Sequence, residues 1–256
     1  MVVFECNHRK ISKIEPTRFS LHAHNNYEII LFLKGNATHV VENRKYKLSK
    51  NDLIIIKPST YHFIQIDDVC DYERFDIIFS ENSHKKHIID RVLEKLEIVN
   101  ISSNPIALDI FSKLDFYRQK LNEKEFNEVA VLLLRELFYN LSLFDDRVIT
   151  PTSLSPILSQ TLSYINDNLT TLKGINEIAS KVFVTPSYLF RMFKSEIKTS
   201  PKQYILEKRL LLAQNLILIG KSSSEAAEKS GFNDYSSFYK NYLKFFGHSP
   251  SKEKKE

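Results

Sequence analysis

The chain has 256 residues, of which 43% are hydrophobic and 26% are charged, and its formal net charge is +5. This composition is typical of a globular protein rather than a disordered chain, and the length favours two domains. The sequence contains neither an apolar run long enough for a membrane span nor a signal-peptide pattern at its start, so we expect a cytoplasmic protein with no membrane partner.

The positive charge is concentrated in the second part of the chain. Residues 1–150 contain 21 Lys and Arg against 22 Asp and Glu, whereas residues 151–256 contain 15 against 9. A local basic surplus is what a phosphate-binding surface requires, although a solvated helical surface can carry the same surplus. Cys6 and Cys70 fit no metal-ligand spacing, and we expect both to be free thiols.

The first part of the chain begins with predicted strands and continues with predicted helices. Apolar runs at residues 27–33, 38–41 and 52–57 are separated by turn signals, which predicts short strands between residues 19 and 80 and favours a sandwich or barrel. Farther on, apolar residues recur at helical spacing from Ile106 to Leu121 and again from Phe126 to Phe144. The second of these stripes is wide, and both packing on its own sheet and a dimer contact would explain it.

A change in composition predicts the domain boundary. Residues 145–155 have the Pro, Ser and Thr content of a linker, and the sequence after them has a helical pattern with short breaks. We therefore predict one domain at 1–147, a linker at 148–155 and an all-α domain at 156–256, which makes the chain an α+β multidomain protein.

The all-α domain begins with a predicted helix-turn-helix unit. Its first helix covers residues 175–183, and its second helix has Thr185 as N-cap and Pro186 at the first helical position. Besides Thr185, the residues predicted on the outward side of the second helix are Ser187, Tyr188, Phe190, Arg191 and Lys194. Arg191 is the best candidate for a base contact, because a guanidinium can pair bidentately with the edge of guanine.

The same plan is repeated about fifty residues later. Ser222 and Glu225 form a capping-box pattern, the following helix ends at Gly231, and Asp234 caps the next helix. The outward residues of that helix are Tyr235, Ser236, Ser237, Lys240 and Lys244, which offer hydroxyls and cations to DNA. A long helix predicted at 201–218 would fix the separation of the two recognition helices, and about 34 Å would place them in successive major-groove segments.

Several motifs in this domain occur together and in order. They are I-x-x-I-A at 175–179, S-Y-L-x-R-x-F-K at 187–194, S-P-x-x-Y-I-x-x-x-R-L at 200–210, G-F-x-D-x-S-x-F-x-K at 231–240 and G-x-S-P at 247–250. Together they resemble the AraC/XylS family of bacterial transcription regulators over about residues 156–250. The resemblance implies that both outward sets enter adjacent major grooves, with Arg191 and Lys240 at positions that commonly contact DNA. It also implies double-stranded DNA as partner, a small-molecule effector such as a sugar, a homodimer, and contact with RNA polymerase if the protein is an activator.

Three residues depart from the family pattern. Lys198 stands where glycine is usual, Ala226 replaces the usual isoleucine, and Leu243 stands where a basic residue is common. Because of Leu243, we expect the first unit to carry more of the specificity than the second.

The first domain contains a cluster of possible ligands. Strand alternation places His22, His24 and Glu28 on one face, and with His62 they resemble the H-x-H-x-x-x-E…H constellation of cupins, whose barrels hold a divalent metal. The resemblance implies a cupin-like β-barrel for this domain. The four residues either ligate Fe, Mn, Ni or Zn or line an effector pocket without metal. A third alternative, hydrogen-bonded histidines near the mouth of a barrel without a function, fits any one of them but fits all four less well. We take the effector pocket as the working prediction and assign no cofactor.

The predicted function is therefore a ligand-responsive, sequence-specific DNA-binding regulator, an activator of genes for carbohydrate or related metabolites, and not an enzyme. The alternative is a cupin-type metalloenzyme with a helical accessory domain. Stoichiometric metal together with substrate turnover would favour that alternative.

Overall fold

The structure is a computed structural model that describes residues 1–19, 21–24, 26–42, 44–58, 60–80, 87–95, 97–143 and 147–253. The strands are β1 (Val2–Ile14), β2 (Thr17–Arg18), β3 (Tyr27–Lys34), β4 (Ala37–Val41), β5 (Arg44–Lys47), β6 (Asp52–Ile56), β7 (His62–Ile66), β8 (Cys70–Ser80), β9 (Ile98–Asn100), β10 (Arg147–Val148) and β11 (Thr152–Ser153). The helices are α1 (His87–Lys95), α2 (Pro105–Lys120), α3 (Glu123–Leu143), α4 (Pro156–Asn168), α5 (Ile175–Lys181), α6 (Pro186–Ile197), α7 (Pro201–Leu218), α8 (Ser223–Lys229) and α9 (Tyr235–Phe246). None of the described helices is long and apolar enough to span a membrane.

The N-terminal domain consists of two antiparallel sheets around a shared core. The strand orders are β1-β8-β3-β6-β9-β10 and β11-β5-β4-β7-β2. Ile30 and Ile54 from the first sheet and Ile64 and Ile66 from the second lie in one buried cluster. The predicted α+β fold is confirmed, and the strands for which a cupin-like barrel was predicted form these two sheets. Because side chains alternate along each strand, those that point away from the shared core pack against other elements.

The longest strand, β1, was not predicted. It pairs with β8 along its length, with two register shifts. Residues 5 and 7–10 are all polar or charged, so no apolar alternation shows in the sequence. This strand becomes visible only through its long-range pairing.

Helices α2 and α3 cover the outer face of the first sheet. The buried face of α3 shares a core with α2 and with sheet residues such as Ile29 and Phe79. Packing on its own domain therefore accounts for the wide apolar stripe of α3. Leu132, Tyr139 and Leu143 of the same helix remain exposed.

The residues between the two domains pair with both sheets. Strand β10 pairs with β9, and β11 pairs with β5. The segment predicted as a linker is thus hydrogen-bonded to the edge of each sheet, and the domain limits themselves stay a prediction.

Helix α7 is the central element of the C-terminal domain. Tyr204 and Leu211 belong to the core of the first helix-turn-helix unit, whereas Leu210 and Ile217 belong to the core of the second. Arg209 donates through Nε and Nη2 to the carbonyl oxygens of residues 169 and 172, both at 2.9 Å, and so caps the region after α4. Because α7 packs into both units, it holds them in one relative position.

The turn after α6 shows why glycine is usual at position 198. Lys198 is the C-cap of α6 and has φ 51°, in the left-handed region. Glycine is usual at such a position because it has no Cβ to clash in this conformation.

Candidate nucleic-acid interface and effector site

The first helix-turn-helix unit is formed by α5 and α6. Ile178, Ala179, Leu189 and Phe193 are buried between helices. The Oγ1 of Thr185 accepts the backbone N–H of residue 188 at 3.2 Å, which fixes the start of α6.

The outward residues of α6 are all accessible to solvent. These are Ser187, Tyr188, Phe190, Arg191 and Lys194, and the N-cap Thr185 is exposed as well. Tyr188 is 40% exposed and Phe190 is 39% exposed, so two large aromatic rings stand on the surface. Within the described residues, neither Arg191 nor Lys194 forms an ion pair with a carboxylate. Their charges are therefore available to a polyanion.

The second unit is formed by α8 and α9. Oδ1 of Asp234 accepts the N–H of residue 237 at 2.7 Å, while Phe238 and Tyr242 are fully buried beneath the helix. The predicted outward residues Tyr235, Ser236, Ser237, Lys240 and Lys244 are all exposed. Leu243 is 43% exposed on the same helix, so this unit presents an apolar side chain where a cation is common.

A groove of about 720 Å³ separates the two units. Lys173, Lys202, Gln203 and Asn241 line it, together with the first turns of α7 and α9. Helix N-termini present unpaired N–H groups and favour negative charge. The sequence reasoning missed these residues because Lys173 and Lys202 lie outside both recognition helices; the Ser-Pro start of α7 is the signal that could have pointed to them.

The four predicted cluster residues of the N-terminal domain come together. The Nε2 atoms of His24, His62 and His22 lie 3.1, 2.9 and 3.8 Å from Oε2 of Glu28. One ligand atom from each residue lies within 4.8 Å of the others. Alternation along a single strand is not what brings these residues together, because β3 begins only at Tyr27. His22 instead joins the site through an isolated backbone bridge to His62.

Backbone carbonyls orient two of these imidazoles. Nδ1 of His24 lies 2.8 Å from the carbonyl oxygen of residue 26, and Nδ1 of His62 lies 2.9 Å from that of residue 60. A carbonyl only accepts, so each Nδ1 carries a proton. Nε2 then donates to Glu28 where the ring is protonated, and presents a lone pair where the ring is neutral. A lone pair facing a carboxylate is unfavourable unless a proton or a cation lies between them. This orientation by an outer carbonyl is typical of metal-ligating histidines.

The electrostatics of the cluster favour a charged carboxylate. Burial alone would raise the pKa of Glu28, but hydrogen bonds from the three histidines hold that pKa well below its usual value. Burial lowers the pKa of His62. At His24 burial acts in the same direction, but the hydrogen bond to Glu28, the charge of Glu28 and backbone hydrogen bonds together outweigh it and raise the pKa. Three imidazoles and one carboxylate suit a divalent transition metal, so the residues present fit such an ion.

His39 lies beside the cluster and was not predicted. It is fully buried on β4, and its ring centre is 5.9 Å from that of His62. Neither ring nitrogen has a hydrogen-bond partner in the part of the chain that the structure describes. Burial holds the pKa of His39 well below its usual value, so the ring is neutral. A single histidine within the apolar run T-H-V-V was the available signal.

Two charged residues of α7 dock the C-terminal domain onto the N-terminal domain. Arg18 donates through Nη2 to both carboxylate oxygens of Glu207, at 2.8 and 2.9 Å. The next residue, Lys208, has its Nζ 3.6 Å from Oε2 of Glu42 and 3.8 Å from the ring centre of Tyr61. No local pattern indicates these pairs, because their partners are far apart along the chain.

The cluster and the domain interface lie on opposite faces of the same segments. Leu21 and Phe63 belong to the core that they share with the C-terminal domain, whereas their neighbours His22 and His62 belong to the cluster. Adjacent residues of extended backbone point to opposite sides. A displacement of these segments at the cluster would therefore also move side chains at the interface between the two domains.

Two protein-family models match the chain. A model described as a helix-turn-helix domain matches residues 178–256, and one described as an AraC-like ligand binding domain matches residues 11–83. The chain is 26% identical to the Msm operon regulatory protein of Streptococcus mutans, over 90% of this chain and 84% of that protein. It is 22% identical to the melibiose operon regulatory protein of Escherichia coli K12, over 91% and 83%, and 24% identical to the raffinose operon transcriptional regulatory protein RafR of Pediococcus pentosaceus, over 88% and 83%.

Proposed function

The chain belongs to the AraC family of transcription regulators, with a ligand-binding domain before a DNA-binding helix-turn-helix domain, and we propose that α6 and α9 read adjacent segments of the major groove. The observation that carries this proposal is the exposure of the whole outward set on two N-capped helices, both packed on α7. Helix α7 has 18 residues, about 27 Å at the helical rise, a length that suits a spacer between two groove segments.

Each outward residue has a role that its chemistry supports. Arg191 reads a guanine, because its guanidinium is exposed and unpaired within the described residues. Tyr188 and Phe190 offer apolar contact to thymine methyl groups and sugars. Thr185, Ser187 and Lys194 on α6, with Tyr235, Ser236, Ser237, Lys240 and Lys244 on α9, bind phosphates and base edges. Lys173 and Lys202 hold the DNA backbone as it crosses the groove between the units.

The two units contribute unequally under this proposal. Leu243 cannot neutralise a phosphate, so α9 supplies fewer charged contacts than the family pattern would give it. Base reading therefore depends more on Arg191 than on any residue of α9.

A pair of substitutions tests the DNA interface. Arg191→Ala should cost about 1 to 3 kcal/mol on the cognate site and relax one base position. Lys244→Ala should weaken cognate and random DNA alike and reduce the slope of affinity against salt concentration. Fluorescence anisotropy over a range of salt concentrations measures both. Equal losses on cognate and random DNA for Arg191→Ala would contradict its base-reading role.

The names of the relatives support a carbohydrate as the effector. Two of them are regulators of melibiose and raffinose operons. We propose that a sugar or related metabolite shifts the arrangement of the two domains and that the protein acts as an activator in the cytoplasm, in contact with RNA polymerase. A ligand controls such an equilibrium only if it binds one arrangement more tightly than the other.

The cluster of His22, His24, Glu28 and His62 is the proposed polar site of the ligand-binding domain. Donor atoms within 4.8 Å of one another leave room for one ion or one polar group of an effector. A divalent cation would be held by these four residues and would supply a fixed positive charge between segments 21–24 and β7. The hydrogen bonds from Nδ1 of His24 and His62 to backbone carbonyls fix the orientation of both rings, which favours a divalent cation over a larger molecule at this site.

Metal analysis and thermal unfolding test this site. Zn²⁺ or Ni²⁺ added to chelator-treated protein should raise its unfolding temperature, and His24→Ala should abolish the rise. His248→Ala is the matched control, since that histidine lies in the other domain. Metal with substrate turnover would favour a metalloenzyme instead.

Helix α3 is the proposed dimer contact. Leu132, Tyr139 and Leu143 are 67, 60 and 85% exposed and are spaced by seven and four residues, as along a coiled-coil seam. Leu132→Glu should convert a homodimer to monomer in sedimentation velocity. A wild-type chain that stays monomeric at micromolar concentration would contradict this contact.

A further inference from the structure

A second polar cavity lies at the edge of the N-terminal domain. It is a cleft of about 460 Å³ between β4, β5, the end of β6, the start of β9 and the interdomain segment 149–151. None of the four cluster residues lines it. Its volume falls within the range of about 300 to 1,000 Å³ that is usual for small-molecule sites.

The charges that line the cleft balance. Arg44 and Lys57 are its cations, and Glu42 and Glu97 are its anions. Arg44 pairs with both oxygens of Glu97, at 2.8 and 2.6 Å, and the hydroxyl of Tyr46 donates to Oε2 of Glu97 at 2.6 Å. An anionic ligand would be repelled by the carboxylates of the cleft, and a cationic ligand would be repelled by its cations. Hydroxyl groups, in contrast, can both donate to Glu97 and accept from Arg44.

Other residues of the lining are apolar. Val41, Ile56 and Pro151 present carbon atoms to the same space. A ring with hydroxyls on its edges and C–H groups on its faces can bind both the charged and the apolar residues of the lining. We propose that this cleft, rather than the histidine cluster, binds the effector, and that the effector is a neutral polyhydroxylated ring compound of the saccharide class.

One residue joins the cleft to the DNA-binding domain. Glu42 lines the cleft and has φ 49°, a left-handed conformation held by two hydrogen bonds to the backbone of residue 61, both 2.9 Å. Its other carboxylate oxygen lies 3.6 Å from Nζ of Lys208 on α7. A saccharide hydroxyl that donates a hydrogen bond to Glu42 competes with Lys208 for the same carboxylate. Occupancy of the cleft therefore weakens one contact that docks the two domains.

This inference rests on the proposed ligand-responsive function, and saccharide binding by the full chain tests it. Isothermal titration calorimetry with melibiose and raffinose as neutral probes and glucuronate as an anionic probe should give heat for the neutral compounds only. Glu97→Gln should lower the affinity for the neutral probes about tenfold, because a charged hydrogen-bond acceptor is lost. The same variant leaves Arg44 without its partner, so its affinity for glucuronate should rise.

Matched variants separate the cleft from the cluster. Lys34→Gln breaks an exposed ion pair with Asp71 in the same domain and should leave saccharide binding unchanged. His24→Ala alters the histidine cluster and tests whether the saccharide binds there instead. Saccharide affinity that is lost in His24→Ala and kept in Glu97→Gln would overturn the proposal, as would the absence of binding by both neutral probes to protein that still binds specific DNA. Failure of the proposed function itself would show differently, as loss of sequence preference in DNA binding by the wild-type chain.

Discussion

Replacing Arg18 with methionine removes one half of the ion pair that joins the two domains. The side chain of Arg18 is 9% exposed and that of Glu207 is 5% exposed, so the substitution leaves a buried carboxylate without its cation. Breaking such a pair costs about 3 to 5 kcal/mol. Glu207 keeps a hydrogen bond from Nε2 of Gln203 at 3.1 Å, which compensates part of the loss, so we expect about 3 kcal/mol.

A double variant separates the loss of the ion pair from the loss of one partner. Arg18→Met with Glu207→Leu removes both charges and fills the same space with apolar atoms, so its stability should return to within about 1 kcal/mol of wild type. The exposed pair of Lys34 and Asp71 is the control, and Lys34→Met should reduce the stability far less than Arg18→Met.

Urea unfolding followed by circular dichroism measures all three variants, with sedimentation velocity to show whether the two domains separate. A single Arg18→Met substitution that costs under about 1 kcal/mol would refute the docking of the domains through this pair. A double variant as unstable as the single one would refute the buried-charge explanation.

Three further predictions concern the backbone and the thiols. Lys198→Gly should stabilise the protein by about 1 kcal/mol in thermal unfolding, because the left-handed conformation at φ 51° then carries no Cβ. Gly231→Ala should cost about 1 to 3 kcal/mol more than Gly247→Ala in the same assay. Both glycines have positive φ, but of the two only Gly231 would place the new Cβ against a backbone oxygen, at 2.6 Å. Equal costs would contradict this contact. Burial raises the pKa of Cys6 to about 12, so this thiol stays protonated at pH 8. The fast phase of thiol labelling should therefore disappear in Cys70→Ser but not in Cys6→Ser.

The parts of the fold that the sequence predicted are those decided by local chemistry. Thr185 and Asp234 were recognised as N-caps because capping depends on residues two or three positions away, and both side chains accept the expected N–H. The strands β3, β4 and β6 were visible because their apolar runs lie between turn residues. Lys198 was singled out by resemblance alone, and its left-handed backbone supplies the physical reason.

The parts that could not be predicted depend on distant pairing. Arg18 and Glu207 are 189 positions apart, and nothing local distinguishes either residue from a solvated charge. The orientation of His62 depends on a backbone carbonyl whose position only the folded chain fixes. The cleft at Glu97 combines strands, a loop and the interdomain segment, so no single motif carries it.

The central claim is that one chain reads two adjacent major-groove segments, and guanine-N7 methylation protection tests it most directly. On a site selected from random DNA, each bound protomer should protect two segments centred about 10 base pairs apart on one face of the duplex. Arg191→Ala should lose the protected guanine of one segment and keep the other. A single protected segment, or protection that is uniform along the DNA and independent of Arg191, would contradict the claim.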